Sequence, residues 1–293
     1  MYHYVRDVGA TPYPGIKARS PAEFRGQLDH IEREYQVVGC DEARSGAWPN
    51  NAALLTFDDG LVDHLDCVLP ELVHRGLRGC FCPPAQAVVE RKVLDVHKVH
   101  FTLAVSPDHA ALADRVLELA EVPGAELRAR YAHANRFDPP QTVLVKRLLQ
   151  DRLPERERRR VLDTLFAELV SDDEAAFADE LYLTENGVAE LARAGMDVAG
   201  HGYLHKRLQL LSEPEQAEEI RRTKDFLTAV LGQEPAGWAM CYPYGSRNET
   251  TLRLLGEAGC ALAFTVEPRV ARYGDDPLQL PRLDTNDLPL AAA

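Results

Sequence analysis

The strongest constraint on this chain is a rhythm of short apolar runs alternating with longer, well-capped helical segments. NAALLTF (residues 51–57), LRGCFC (77–82), MDVAG (196–200), AGWAMC (236–241) and CALAFTV (260–266) are too short and too apolar for amphipathic helices and read as buried strands. MYHYV at the start is a further short strand candidate. The helical segments carry their own start and stop signals. SPAEFRGQLDHIEREY opens with Ser20 as N-cap, Pro21 in the first turn and Glu23 three residues after the cap, and Phe24, Leu28 and Ile31 form its apolar stripe. Thr184 and Gly195 bracket a second helix, Ser212 and Gly232 a third, and residues 63–76 and 248–259 read as two more. Buried strands alternating with helices predict an α/β fold with a parallel sheet. No internal repeat is present, which excludes a solenoid.

Residues from about 87 to 180 break the rhythm. They are helical in pattern and rich in charge, and FDPPQTV interrupts them. We read 1–293 as one domain interrupted by a helical insertion. The Arg156–Arg160 cluster inside it is interleaved with Glu155 and Glu157, which fits a solvated helix face better than a nucleic-acid surface.

Composition narrows the function classes. Over 293 residues, 33 Lys+Arg against 46 Asp+Glu leave a formal charge of −13, which argues against broad phosphate-backbone binding. No run approaches the roughly 20 apolar residues of a membrane span, and MYHYVRDVGATPYPGIK lacks the pattern of a signal peptide. The expectation is a cytoplasmic chain with no nucleic-acid partner. The six cysteines are scattered, and Cys80 and Cys82 would share one face of a strand as small core residues rather than form a disulfide or zinc ribbon.

Three motifs sit where an α/β fold places its chemistry, at the carboxyl ends of strands. In Thr56-Phe57-Asp58-Asp59-Gly60, two adjacent carboxylates follow an apolar run. A cation would relieve their repulsion and leave one of them free to act as a base; the alternative is an acidic turn capping a helix. In His201-Gly202-Tyr203-Leu204-His205, two imidazoles four apart can face one point. Joined to a strand-end carboxylate, they make a two-His, one-Asp set with open positions. Cys241-Tyr242-Pro243-Tyr244-Gly245 is a tight turn that can present a backbone N–H to an oxyanion.

TFDDG, HGYLH and a YPYG turn in this order resemble the polysaccharide deacetylase family (carbohydrate esterase family 4). LTENGVAELARAGMDVAGHGYLH and GCALAFT extend the likeness, which covers residues 1–82 and 181–289. The resemblance implies a distorted (β/α) barrel of seven strands and hydrolysis of an acetyl group on a sugar with one divalent metal, zinc first, with cobalt, nickel or manganese as variants. It implies Asp58 as the catalytic base, Asp59, His201 and His205 as metal ligands, and the Tyr244 N–H as an oxyanion donor.

Two departures stand out. The Arg that opens the family's third motif is Cys241 here. Arg282, in LPRLD, is the candidate substitute, with Asp284 sharing the tuning of the base; a surface ion pair is the alternative. The family's late histidine, its general acid, is also missing, since no histidine follows His205. His100, then His97, are the replacement candidates at the start of the insertion, and His3 is a third. Lys98, Arg6 and Arg282 are the cations expected near an anionic substrate. The reading is an N-deacetylase of an acetamido sugar, a nucleotide- or lipid-linked cytosolic precursor of a surface polysaccharide such as O-antigen or capsule. Hydrolysis of another amide or an O-acetyl ester, or a non-catalytic sugar-binding protein, are the alternatives.

Overall fold

The computed structural model of the chain describes residues 1–46 and 48–290. Among the described residues seven short strands appear in chain order: β1 (Gln36–Val37), β2 (Ala52–Ala53), β3 (Thr56–Asp58), β4 (Cys80–Cys82), β5 (Asp197–Val198), β6 (Ala239–Cys241) and β7 (Leu262–Phe264). Every pairing between them is parallel, with β3, β4 and β5 in one sheet and β6 beside β7. A parallel bridge from Gly200 to Met240 joins the two groups. The chain forms the expected α/β architecture.

Backbone bonds carry the pairing around a ring. Tyr2 bridges Phe57, and Asp58 N donates to Tyr2 O at 2.9 Å. On the far side Leu280 bridges Phe264. Met1 N then donates to Leu283 O at 3.0 Å, and Thr285 N donates to Met1 O at 3.2 Å. The Met1–Val5 segment, β3 to β7 and the Leu280–Leu283 segment are thus linked in turn. MYHYV, expected as a strand, forms no continuous strand: it takes part through the Tyr2–Phe57 bridge and the Met1 backbone bonds, while Val5 bridges Arg19.

The strand period of two decides what faces inward. Tyr2, Phe57 and Phe81 stack in a ladder, at 5.3 Å between the first pair of rings and 4.8 Å between the second, on the face packed against the helices. The alternate residues Thr56, Asp58, Cys80 and Cys82 must then face the interior. There Cys80, Cys82, Ala199, Ala239 and Cys241 cluster, small side chains suited to a narrow ring. All six cysteines are free thiols, and all but the half-buried Cys67 are small buried residues.

The local signals act as read. Ser20 accepts from Glu23 N in a full capping box over the Pro21–Glu34 helix. Thr184 caps the Glu185–Arg193 helix, and Gly232 closes the Glu213–Leu231 helix at φ +71°. Residues 63–76 differ from expectation. They form a widened π turn at His64–Val68 before the Leu69–Arg75 helix, because Pro70 has no N–H to donate back into the preceding turn.

The chain divides into two compact units. The first comprises residues 1–7, 18–92 and 178–293 and holds the strand ring. The second comprises 8–17 and 93–177 and is helical, with a core of Val99, Leu103, Val116, Leu144, Leu148 and Leu165 among others. Tyr13 joins this unit through ring contacts with Phe101 and Phe177 at 4.9 and 5.8 Å. That contact left no trace in the periodicity. No helix among the described residues is long and apolar enough to cross a membrane.

Candidate active site

β3 ends in the two carboxylates, and the backbone there turns out of the strand. Asp59 adopts φ +78°, a conformation asparagine and aspartate tolerate better than other side chains do. Gly60 follows at φ +62°, where a Cβ would lie 2.8 Å from Pro83 Cβ, so only glycine fits. The turn keeps Asp58 facing the interior and directs Asp59 toward the histidine loop after β5.

That loop starts at His201. Its Nδ1 lies 2.8 Å from Cys241 O. A carbonyl only accepts, so Nδ1 carries the proton and Nε2 is left as a lone-pair donor to a ligand. His201 Nε2 is 3.4 Å from Asp59 Oδ1, His205 Nε2 is 3.5 Å from the same oxygen, and the two Nε2 atoms are 3.2 Å apart. All three residues are buried. Ligands at about 2.0–2.1 Å from a tetrahedral ion lie about 3.3 Å from one another, so this donor set fits a divalent first-row metal without rearrangement. Asp58, His201 and Cys241 form an overlapping cluster.

Asp58 is 2% exposed and clamped by Arg282. Arg282 Nη1 donates to Oδ1 at 2.9 Å and Nη2 to Oδ2 at 2.8 Å, a bidentate pair. The same guanidinium donates to Thr56 Oγ1 at 3.0 Å and, through Nε, to Thr265 O at 2.8 Å. Burial by itself would push the Asp58 carboxyl up, but Arg282 outweighs it, with His201 and His3 adding, and holds the carboxyl well below the usual carboxylate range. Cys241 Sγ, in the place the resemblance reserves for Arg, donates to Asp58 Oδ2 at 3.2 Å. Burial pushes that thiol up, so it stands as a neutral donor.

The other residues singled out from the sequence lie as follows. The Tyr244 backbone is left-handed (φ +58°), and its ring sits against His205 with centroids 4.9 Å apart. His3 Nε2 lies 4.0 Å from Asp58 Oδ2, with the side chain 39% exposed. Arg6 is held by buried Asp63 through contacts of 2.7 and 2.8 Å. Asp284 caps the Thr285–Asp287 turn by accepting from Asn286 N at 2.8 Å. His97, His100 and Lys98 lie on the Asp95–Val105 helix of the second unit. The two imidazole rings there are 5.9 Å apart, and Lys98 Nζ is paired with Asp163 at 2.6 Å and Glu174 at 3.2 Å.

Two features escaped the sequence reading. Arg207 stacks over the Tyr244 ring at 4.0 Å. Glu219, on the Glu213–Leu231 helix, accepts from Tyr203 N and Leu204 N, both at 3.0 Å. The signal for Glu219 was present: it lies in the same stripe as Gln216, Ile220, Thr223 and Leu227, so a carboxylate sits on the buried face of its helix.

Comparison with known proteins gives a consistent picture. Residues 157–263 match the family model described as Polysaccharide deacetylase, a span that includes His201, His205 and the YPYG turn. YxkH of Bacillus subtilis, named as a polysaccharide deacetylase, is 29% identical over 90 residues, so the match spans 31% of this chain and only 32% of that protein. Among solved structures, the Streptococcus pyogenes deacetylase PplD, in complex with acetate, aligns with a TM-score of 0.60 at 17% identity, covering 97% of this chain and 89% of that one. IcaB from Ammonifex degensii aligns at 0.59 and 21% identity, covering 96% and 88%. The fold of this chain is that of the polysaccharide deacetylases, and the family model supports the same family.

Proposed function

We propose that this chain is a metal-dependent hydrolase that removes the N-acetyl group from an acetamido sugar. The observation that supports it most is the convergence of Asp59, His201 and His205 beside an Asp58 that Arg282 keeps ionised. A divalent cation held by those three residues would supply Lewis-acid polarisation of the acetyl carbonyl and activation of water. Asp58 is the proton acceptor, and its depressed pKa keeps it in the basic form at neutral pH. The Tyr244 N–H is the proposed donor to the oxyanion. The proton for the leaving amine comes from a histidine. His3 stands beside Asp58 and is partly open to solvent, and His100 and His97 are the other candidates.

The finer reading is a nucleotide- or lipid-linked precursor of a surface polysaccharide, met in the cytosol. Arg207, a cation over the Tyr244 ring, supports only the anionic character of such a substrate. The test is incubation of the zinc- or cobalt-loaded protein with a panel of acetamido sugars, their oligomers and their nucleotide derivatives, with released acetate as the readout. Acetate from any member supports deacetylation, and the preferred member names the substrate. Metal binding with no acetate from any of them would move the reading to sugar binding without turnover.

A further inference from the structure

The His201–His205 loop is short, buried and conformationally demanding. His205 sits at φ +53°, a conformation that a non-glycine side chain adopts at a cost, while Gly202 takes φ +72° freely. Its two middle peptide groups are pinned from opposite sides. Gly202 O and Tyr203 O accept from Ala85 N at 3.1 Å and Gln86 N at 2.9 Å, at the start of the Ala85–Glu90 helix. Tyr203 N and Leu204 N both donate to one oxygen, Glu219 Oε2. Glu219 is 4% exposed, and its own carbonyl accepts from Thr223 Oγ1 at 2.7 Å, which ties that residue into the helix. A single carboxylate oxygen therefore satisfies one buried and one half-buried N–H group on the residues between the two imidazoles, and charge-assisted bonds of this kind are the strong ones.

We propose that Glu219 is a positioning residue for the metal site: through Tyr203 N and Leu204 N it fixes the loop so that His201 Nε2 and His205 Nε2 both face Asp59. It touches neither the metal nor the substrate. The inference rests on the reading of Asp59, His201 and His205 as metal ligands. Outer-shell partners of metal ligands typically contribute about 10- to 100-fold in affinity, and Glu219 acts one step further out, on the backbone that carries both imidazoles.

The test is a cobalt titration of the metal-free full chain, followed by visible absorption, for the unaltered protein and for Glu219→Asp, Glu219→Ala and Glu219→Gln, with the melting temperature of each metal-free protein alongside. Glu219→Asp keeps the charge but draws the oxygen back by one methylene, and it keeps the test usable if the alanine variant fails to fold. We expect Glu219→Asp and Glu219→Ala to weaken cobalt binding by about 10-fold or more and to alter the cobalt spectrum. Glu219→Gln, which retains an acceptor oxygen, should stay within a few-fold of the unaltered protein. Folded Asp or Ala variants with unchanged affinity and spectrum would overturn the proposal. So would weakened binding that merely tracks a fall in the melting temperature of the metal-free protein. If the unaltered protein bound no divalent metal, the ligand reading itself would fail, a result distinct from both.

Discussion

Arg282→Met is the most informative single change in this protein. It removes a buried guanidinium that makes four hydrogen bonds: two to Asp58, one to Thr56 Oγ1 and one to Thr265 O. The methionine restores much of the volume, so the dominant effect is a carboxylate left at 2% exposure without its bidentate counter-charge, with only the weaker influence of His201 and His3 remaining. Breaking a buried ion pair from one side costs about 3–5 kcal/mol. Asp58→Asn removes the charge and leaves Arg282 with hydrogen bonds but no anion. The double variant contains neither charge, and its destabilisation should fall short of the sum of the singles by about 2–3 kcal/mol, within the range seen for directly contacting pairs. The assay is urea unfolding of the metal-free protein followed by tryptophan emission. Both tryptophans, Trp48 and Trp238, belong to the unit that holds the strand ring, so the signal reports that unit. Arg282→Met within about 1 kcal/mol of the unaltered protein, or strictly additive singles, would refute the view that Asp58 and Arg282 form one coupled charge pair.

Three further expectations follow from the same geometry. Asp58→Asn should abolish acetate release while leaving cobalt affinity within a few-fold, because Asp58 is outside the proposed ligand set of Asp59, His201 and His205; retained activity would remove it as the base. Of His3→Ala, His97→Ala and His100→Ala, the variant that lacks the general acid should lose about 10²- to 10⁴-fold in kcat, and we expect it to be His3; a rate unchanged in that variant would exclude its imidazole. In the second unit, burial would raise the Asp138 carboxyl, but hydrogen bonds from Lys146 and Lys17 outweigh it and hold it below the usual range. A depressed folded pKa contributes stability above the unfolded value of about 3.9 and loses it as pH falls through the folded pKa. Asp138→Asn should therefore lower the melting temperature at pH 7, with the difference shrinking below about pH 4; a difference that grew on acidification would contradict the assignment.

Helix starts and stops, the burial of the short strands and the three strand-end motifs were legible because each rests on chemistry within a few residues. Ser20 caps by reaching Glu23 N, and Gly232 closes its helix because φ +71° is open to glycine. Asp58 and Asp59 are neighbours, and His201 and His205 lie four apart in one loop, so their association needed no knowledge of the fold. The widened turn at His64–Val68 was less legible, since the helical pattern there continues through Pro70.

What only tertiary structure decided is which distant group meets which. Arg282 lies 224 residues from Asp58, and closure of the ring through the Leu280–Leu283 segment brings them together. Lys98 and Arg6, read from sequence as cations for a substrate, are instead paired with Asp163, Glu174 and Asp63, because a long cation near a carboxylate in a partly buried setting is held there. Glu219 and Arg207 carried no motif at all. Their contacts come from the faces of a helix and a loop brought against the His201–His205 segment and Tyr244, and partners between remote segments are set by packing rather than by spacing in the chain. The sequence by itself therefore determined the elements and the local groupings of Asp58 with Asp59 and of His201 with His205, while the ring of paired segments determined the charge environment of Asp58 and the support of the histidine loop.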